Sequence, residues 1–140
     1  MRYAKIGALL MIAACTATAS DTSQRKIPCK VPANTASCHW IHGRLAAYNG
    51  APAFRLWEIG THRLLGISSG PNATDPLDNE HPEFPASVRD KLKPFENKIV
   101  GDFEVCPLEQ KKTGWMQAAC IESAKKIVVA KWEERKAIGN

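Results

Sequence analysis

Asn49-Gly50-Ala51-Pro52 restricts the fold of this chain more than any other stretch. It separates two strand-like runs, His39 to Tyr48 and Ala53 to Ile59, and Asn-Gly between such runs is a strong hairpin signal. A two-residue and a four-residue loop give the same facing, because both are even. One face then carries Ile41, Leu45 and Ala47 opposite Phe54 and Leu56, a core; the other carries Trp40, His42, Arg44 and Tyr48 opposite Arg55 and Trp57. Loop length decides the pairing on that second face. Two residues would set Arg44 against Arg55, which repel. Four residues set Arg44 against Trp57, a cation–π pair, so the longer loop is expected.

The remaining domain continues in the same style. His62 to Ile67 reads as a third strand after a turn at Gly60-Thr61. Between Ser69 and Lys98, Pro71, Pro76, Pro82, Pro85 and Pro94 break any sheet. Within that stretch Phe84, Val88 and Leu92 recur every four residues, and Pro85 suits a first helical position, so one short helix is expected. Ile99 to Leu108 alternates again, with Ile99, Phe103 and Val105 on one side and Asp102 and Glu104 on the other, and Trp115 to Glu122 is its expected hairpin partner. Ile127-Val128-Val129 favours strand by its β-branched residues, whereas Ile121, Ala124, Val128 and Trp132 fit a helical face. A strand to Ala130 followed by a charged tail is expected. The fold class is therefore all-β: a small sandwich or partly open barrel of about six antiparallel strands with one short helix.

The start of the chain has a different character. Arg2 and Lys5 precede an apolar run from Ile6 to Ala14, which ends in the small residues Ala13-Ala14 immediately before Cys15. The run is too short to cross a bilayer as a helix and has the dimensions of a signal-peptide core. Ile12-Ala13-Ala14-Cys15 resembles the lipobox of bacterial lipoproteins. That resemblance implies removal of residues 1–14 and acylation of Cys15. Thr16, standing where the inner-membrane retention signal has Asp, implies the outer membrane, with the domain facing the periplasm. A competing cut after Ala17-Thr18-Ala19 would release a soluble periplasmic protein beginning at Ser20. The expected organisation is a signal peptide over 1–14, a tether and N-terminal loop over 15–36, a β domain over 37–132 and a charged tail over 133–140.

Four cysteines follow the leader: Cys29, Cys38, Cys106 and Cys120. An even count in an exported chain reads as a disulfide framework with three connectivities. Cys106 and Cys120 flank the turn-like Glu109 to Gly114 at matched distances, which favours Cys106–Cys120 and leaves Cys29–Cys38. Without Arg2 and Lys5, 17 basic residues face 14 acidic ones, a net charge of +3 that is too small and too evenly spread to suggest nucleic acid. Lys111-Lys112 and Lys125-Lys126 read as solvated pairs.

Two further resemblances cover parts of the body. His42-Gly43-Arg44-Leu45, Asn49-Gly50-Ala51-Pro52 and Arg55-Leu56-Trp57 resemble the opening strands of prealbumin-like β-sandwich modules. The block from His42 to Gly66, Gly101-Asp102-Phe103-Glu104-Val105-Cys106-Pro107 and Cys120-Ile121-Glu122-Ser123-Ala124 resemble small exported bacterial proteins. The second resemblance implies export and carries no mechanism.

Candidate chemistry is sparse. Trp40, His42, Arg44, Arg55 and Trp57, with Tyr48, suit stacking on sugars and pairing with phosphate or carboxylate on an envelope glycan; the competing reading packs this face against a second sheet or the proline-rich loop, with Arg44 and Arg55 meeting Asp102, Glu104 or Glu122. His39 and His42, three apart on a strand, point to opposite faces and do not form a metal site, with His62 and His81 the remaining imidazoles. Asp75, Asp78, Glu80 and Glu83 lack the spacing and glycine of an EF-hand loop. Asp102 and Glu104 share a strand face but read as its polar side rather than as a glycosidase pair. No nucleophile elbow, phosphate loop or dinucleotide fingerprint occurs. These readings converge on a non-enzymatic envelope lipoprotein with a binding or structural role, without cofactor, held to the membrane by its lipid and partnered by an envelope glycan or protein. The alternatives are a soluble periplasmic inhibitor or carrier using the Trp/Arg face, and a hydrolase using Asp102 or Glu104.

Overall fold

The computed structural model describes residues 25–132. The expected leader, Cys15 and the charged tail lie outside the described residues. Within them the chain forms a small mixed sheet of five strands with two short helices: β1 (His39–Ala47), β2 (Phe54–Glu58), β3 (Leu64–Ile67), α1 (Pro76–Glu80), α2 (Ala86–Arg89), β4 (Asn97–Pro107) and β5 (Gln117–Lys131). No helix among the described residues is long and apolar enough to cross a membrane.

The first hairpin forms with the expected loop. Tyr48 N–H donates to Ala53 O at 2.8 Å across Asn49 to Pro52, Ala51–Pro52 being a cis peptide, and Arg44 stands opposite Trp57. β3 pairs antiparallel with β2, β4 lies antiparallel on the other side of β1, and β5 runs antiparallel to β4. β5 also pairs with β3, in parallel, so the order β1-β2-β3-β5-β4 returns to β1. Of the two architectures expected, two facing sheets do not form: the strands make one continuous sheet. They number five against about six expected, and one pairing is parallel where all were expected to be antiparallel.

The strand count falls because Trp115 to Glu122 and the segment to Ala130 join into one strand, β5. Two irregularities bend it: Glu122 has no counterpart between the Glu104–Ser123 and Val105–Ile121 pairs, and Lys126 and Ile127 together oppose Gly101. Lys126 has a φ of 54°, as an extra residue inserted into a strand permits.

Alternation places Ile41, Leu45, Leu56, Leu65, Ile67, Ile99, Phe103, Val105 and Ile121 inside the ring of strands, all essentially buried. Each such side chain contributes about 1.5–3 kcal/mol relative to exposure. The helical face expected from Phe84, Val88 and Leu92 joins this core, with Phe84 edge-on to Phe54 at 5.1 Å between ring centroids. The second helix, α1, was not anticipated. Asp75 caps it, accepting from Leu77 N–H at 2.9 Å, and Pro76 occupies its first turn.

The disulfides form between different partners from those expected: Cys29 with Cys120, and Cys38 with Cys106. Cys106 and Cys120 are direct neighbours across β4 and β5, as their symmetry about the turn implies. Each instead bonds to the segment 25–38, which is thereby stapled to the sheet. Polar contacts complete the attachment. The Arg25 guanidinium donates to the carbonyls of Ser69 and Ile121, Glu83 accepts from the N–H groups of Lys26 and Ile27, and Glu122 accepts from Lys30 N–H. Glu83 thus works as an anchor for the N-terminal segment.

Candidate functional site

The outer faces of β1 and β2 bring the expected Trp/Arg residues together, and each is already engaged. The Arg44 guanidinium lies 4.9 Å from the Trp57 ring centroid, and Arg55 lies 5.3 Å from that of Tyr48. Lys125 covers Trp40 at 4.1 Å. Trp57 Nε1–H donates to Thr61 O at 2.8 Å, and Arg55 Nε–H donates to Pro52 O at 3.0 Å. His42 Nδ1 lies 2.9 Å from Asp102 Oδ1. Two parts of the competing reading do not hold among the described residues: no second sheet covers this face, and Arg44 and Arg55 meet aromatic rings instead of carboxylates. The result is a surface ladder of cations laid on rings supplied by the same chain.

The other sequence candidates resolve as follows. His39 Nδ1 contacts Ser37 O while His42 faces outward to Asp102, so the two imidazoles diverge as expected. The hydrogen bond from His42 holds the Asp102 carboxyl below its ordinary value, with Lys126 adding to the effect; a general acid needs the opposite shift. Glu104 accepts from Lys30 Nζ and Ser123 Oγ. Among the described residues no group of three or more His, Cys, Asp or Glu side chains is arranged to hold a metal ion.

A different site lies where the β2–β3 turn meets the β4–β5 loop. The parallel pairing of β3 with β5 brings these segments side by side. They enclose a cleft of 790 Å³ lined by Arg63, His62, Lys111, Lys112 and Trp115, with Glu58 and Gln117 at its base. Its framework is a chain of polar contacts. Arg63 Nη1 approaches Glu58 at 3.5 Å, Arg63 Nη2 donates to Gln117 Oε1 at 2.9 Å, and Gln117 Nε2 donates to Glu109 O at 2.8 Å. Glu109 Oε1 in turn accepts from Ala118 N–H at 2.9 Å, fixing the loop to β5. Lys111, Lys112 and His62 have no acidic partner among the described residues. Trp115 is 77% exposed at the lip of this cleft.

Met116 is a common wall between the cleft and a second hollow of 940 Å³. That hollow is bounded by the β1–β2 loop, α1 and the turn before β4, with Pro52, Pro94, Phe95 and Ala118 among its lining. Gly66 explains how the loop reaches the strand. A Cβ there would lie 2.5 Å from Pro52 Cγ and 3.3 Å from Met116 Sδ, so only glycine admits these two side chains onto β3. Sequence reasoning missed both sites. Lys111-Lys112 followed three residues later by Trp115 was the available signal for the cleft.

Comparison of the sequence with protein-family models and curated proteins, and of the fold with solved structures, found no match.

Proposed function

We propose that this chain is a non-enzymatic envelope protein, tethered to the outer membrane through an acylated Cys15, whose periplasmic domain binds small anionic ligands at the cleft between the β2–β3 turn and the β4–β5 loop. One observation carries the reading: Trp115 stands exposed above Arg63, Lys111 and Lys112, and the two lysines lack acidic partners among the described residues. An exposed indole provides a flat stacking surface, and oriented guanidinium and ammonium groups suit phosphate or carboxylate. The cavity volume falls in the range of small-molecule sites.

The fold class supports the placement. The closed five-strand order, with helices inserted between β3 and β4, reads as a small Greek-key barrel of the OB type, in which the β1–β2 and β4–β5 loops flank the ligand face. Here those loops wall the hollow and the cleft respectively. This analogy speaks to where a ligand sits and not to which ligand it is.

Titration of the oxidised protein with inorganic phosphate and with glucuronate, followed by tryptophan fluorescence, tests the reading. Saturable quenching that disappears in Trp115→Ala and weakens in Lys111→Glu/Lys112→Glu supports it; absence of any anion-dependent change overturns it. The intact mass of the protein from cells distinguishes acylation at Cys15 from cleavage before Ser20.

A further inference from the structure

We infer that the basic cleft and the neighbouring hollow are two halves of one groove for a monomeric anionic amphiphile, its charged head among Arg63, Lys111 and Lys112 and its alkyl chain passing Met116 toward Pro52 and Phe95. The inference rests on the anion-binding reading of the cleft and adds the chemistry of the rest of the ligand.

Three observations support it. Charge is divided between the two spaces. Arg63, Lys111, Lys112 and His62 line the cleft beside Glu58, whereas the hollow is walled largely by prolines, alanines, Met116 and aromatic rings, with Glu80 its one carboxylate and His81 its one imidazole. An inorganic anion would leave the hollow unused, and a glycan, polar along its length, would gain little from it. Second, Phe95 is 60% exposed at the hollow and has a φ of 63°. The Lys93–Glu96 turn, with Pro94 in its second position and Glu96 N–H donating to Lys93 O at 3.1 Å, sets that backbone and leaves an apolar ring exposed on the rim of the hollow. Third, β3, which lines both spaces through Leu64 and Gly66, is paired with β2 on one side and β5 on the other, so no extended peptide can add to it as a strand there. Met116, unbranched and flexible, suits a boundary across which a chain must pass.

The test is calorimetry on the oxidised protein with dodecyl phosphate below its micellar concentration, with inorganic phosphate and with uncharged dodecyl maltoside. Dodecyl phosphate is expected to bind at least about tenfold tighter than inorganic phosphate, the increment of roughly two buried methylenes. It should also bind tighter than dodecyl maltoside. Phe95→Gly, which relieves the backbone, should retain thermal stability and lose several-fold in affinity for dodecyl phosphate while leaving inorganic phosphate unchanged. Ala118→Leu, which occupies the hollow, should behave the same way.

Equal affinity for dodecyl phosphate and inorganic phosphate would overturn the amphiphile and leave the anion site intact. Failure of both anions to bind would overturn the two readings together. Binding of dodecyl maltoside as tight as that of dodecyl phosphate would remove the role of the head group. Attachment to anionic phospholipid vesicles without binding of the monomer would assign the surface to a bilayer and overturn the inference.

Discussion

Gly43 on β1 and Gly101 on β4 stand directly opposite each other, and neither position has room for a side chain. A Cβ on Gly43 would lie 2.8 Å from Leu56 Cδ1 and 2.9 Å from Trp57 O; one on Gly101 would lie 2.7 Å from Ile127 Cδ1 and 2.9 Å from Lys125 O. Both positions turn inward by strand parity, so the pair marks where the neighbouring strands close in on the ring. On each side a backbone carbonyl forms part of the obstacle, which rotamer changes alone cannot remove. Gly43→Ala and Gly101→Ala are each expected to destabilise the domain by about 1–3 kcal/mol through overpacking. Urea unfolding of the oxidised protein measures this, and unchanged midpoints in both variants would refute the account.

The staple formed by the disulfides leads to a second expectation. Cys29–Cys120 and Cys38–Cys106 close sequence separations of 91 and 68 residues, against the short loops that the alternative pairing would close. Long closed loops restrict the unfolded chain more, so replacing Cys29 and Cys120 together by serine should cost about 2–5 kcal/mol. Peptide mapping without reduction should recover Cys29 linked to Cys120 and Cys38 linked to Cys106. Recovery of a Cys29–Cys38 peptide would contradict the connectivity.

The cysteines also illustrate what was legible in the chain. Their symmetry about residues 109–114 correctly places Cys106 beside Cys120, but adjacency is not bonding, and nothing local signals that residues 25–38 lie over both. The β1–β2 hairpin was readable to its loop length because turn chemistry and side-chain pairing are both local. β5 was not, for a specific reason. With extra residues at Glu122 and at Lys126-Ile127, the residues packed on the core become Ile121, Ala124 and Ile127, three apart. That spacing imitates a helix and explains the ambiguous pattern. Asp75-Pro76 carried a helix-start signal for α1 that the surrounding prolines obscured. The cleft depends on a parallel pairing between strands separated by both helices and β4. Lys111 and Lys112 therefore read as ordinary solvated residues until β3 brings Arg63 beside them.

The ring-and-cation ladder supports a prediction about stability rather than binding. Arg44 Nε is buried without a hydrogen-bond partner among the described residues, so what Arg44 supplies is its stem and its contact with Trp57. Arg44→Ala should cost about 0.5–1 kcal/mol through the cation–π contact alone, with lost packing in addition. Arg44→Met, which retains the stem and removes the unsatisfied donor, should cost less. Chemical denaturation ranks the two variants. Anion affinity at the Trp115 cleft should be unchanged in both, and loss of that affinity in either would return the ligand site to the β1–β2 face.

Two charged contacts on the outer sheet should act at opposite ends of the pH range. The hydrogen bond from His42 lowers the Asp102 pKa from 3.8, so the folded state binds its proton less readily than the unfolded state. The resulting stabilisation is present above the unfolded value and is lost as pH falls through the lower, folded value. Lys30 shifts the other way. The hydrogen bond to Glu104 raises its pKa from 10.5 against the opposing effect of desolvation, so its contribution is present below the unfolded value and disappears as pH rises through the folded one. Asp102→Asn should therefore flatten the acid limb of the stability profile, and Glu104→Gln the alkaline limb. Both contacts are solvent-accessible, so the effects should be small and should shrink with added salt. Urea midpoints collected from pH 2 to 12 at low and high ionic strength test this; an acid limb unchanged by Asp102→Asn would show that the His42–Asp102 contact contributes nothing to folding in solution.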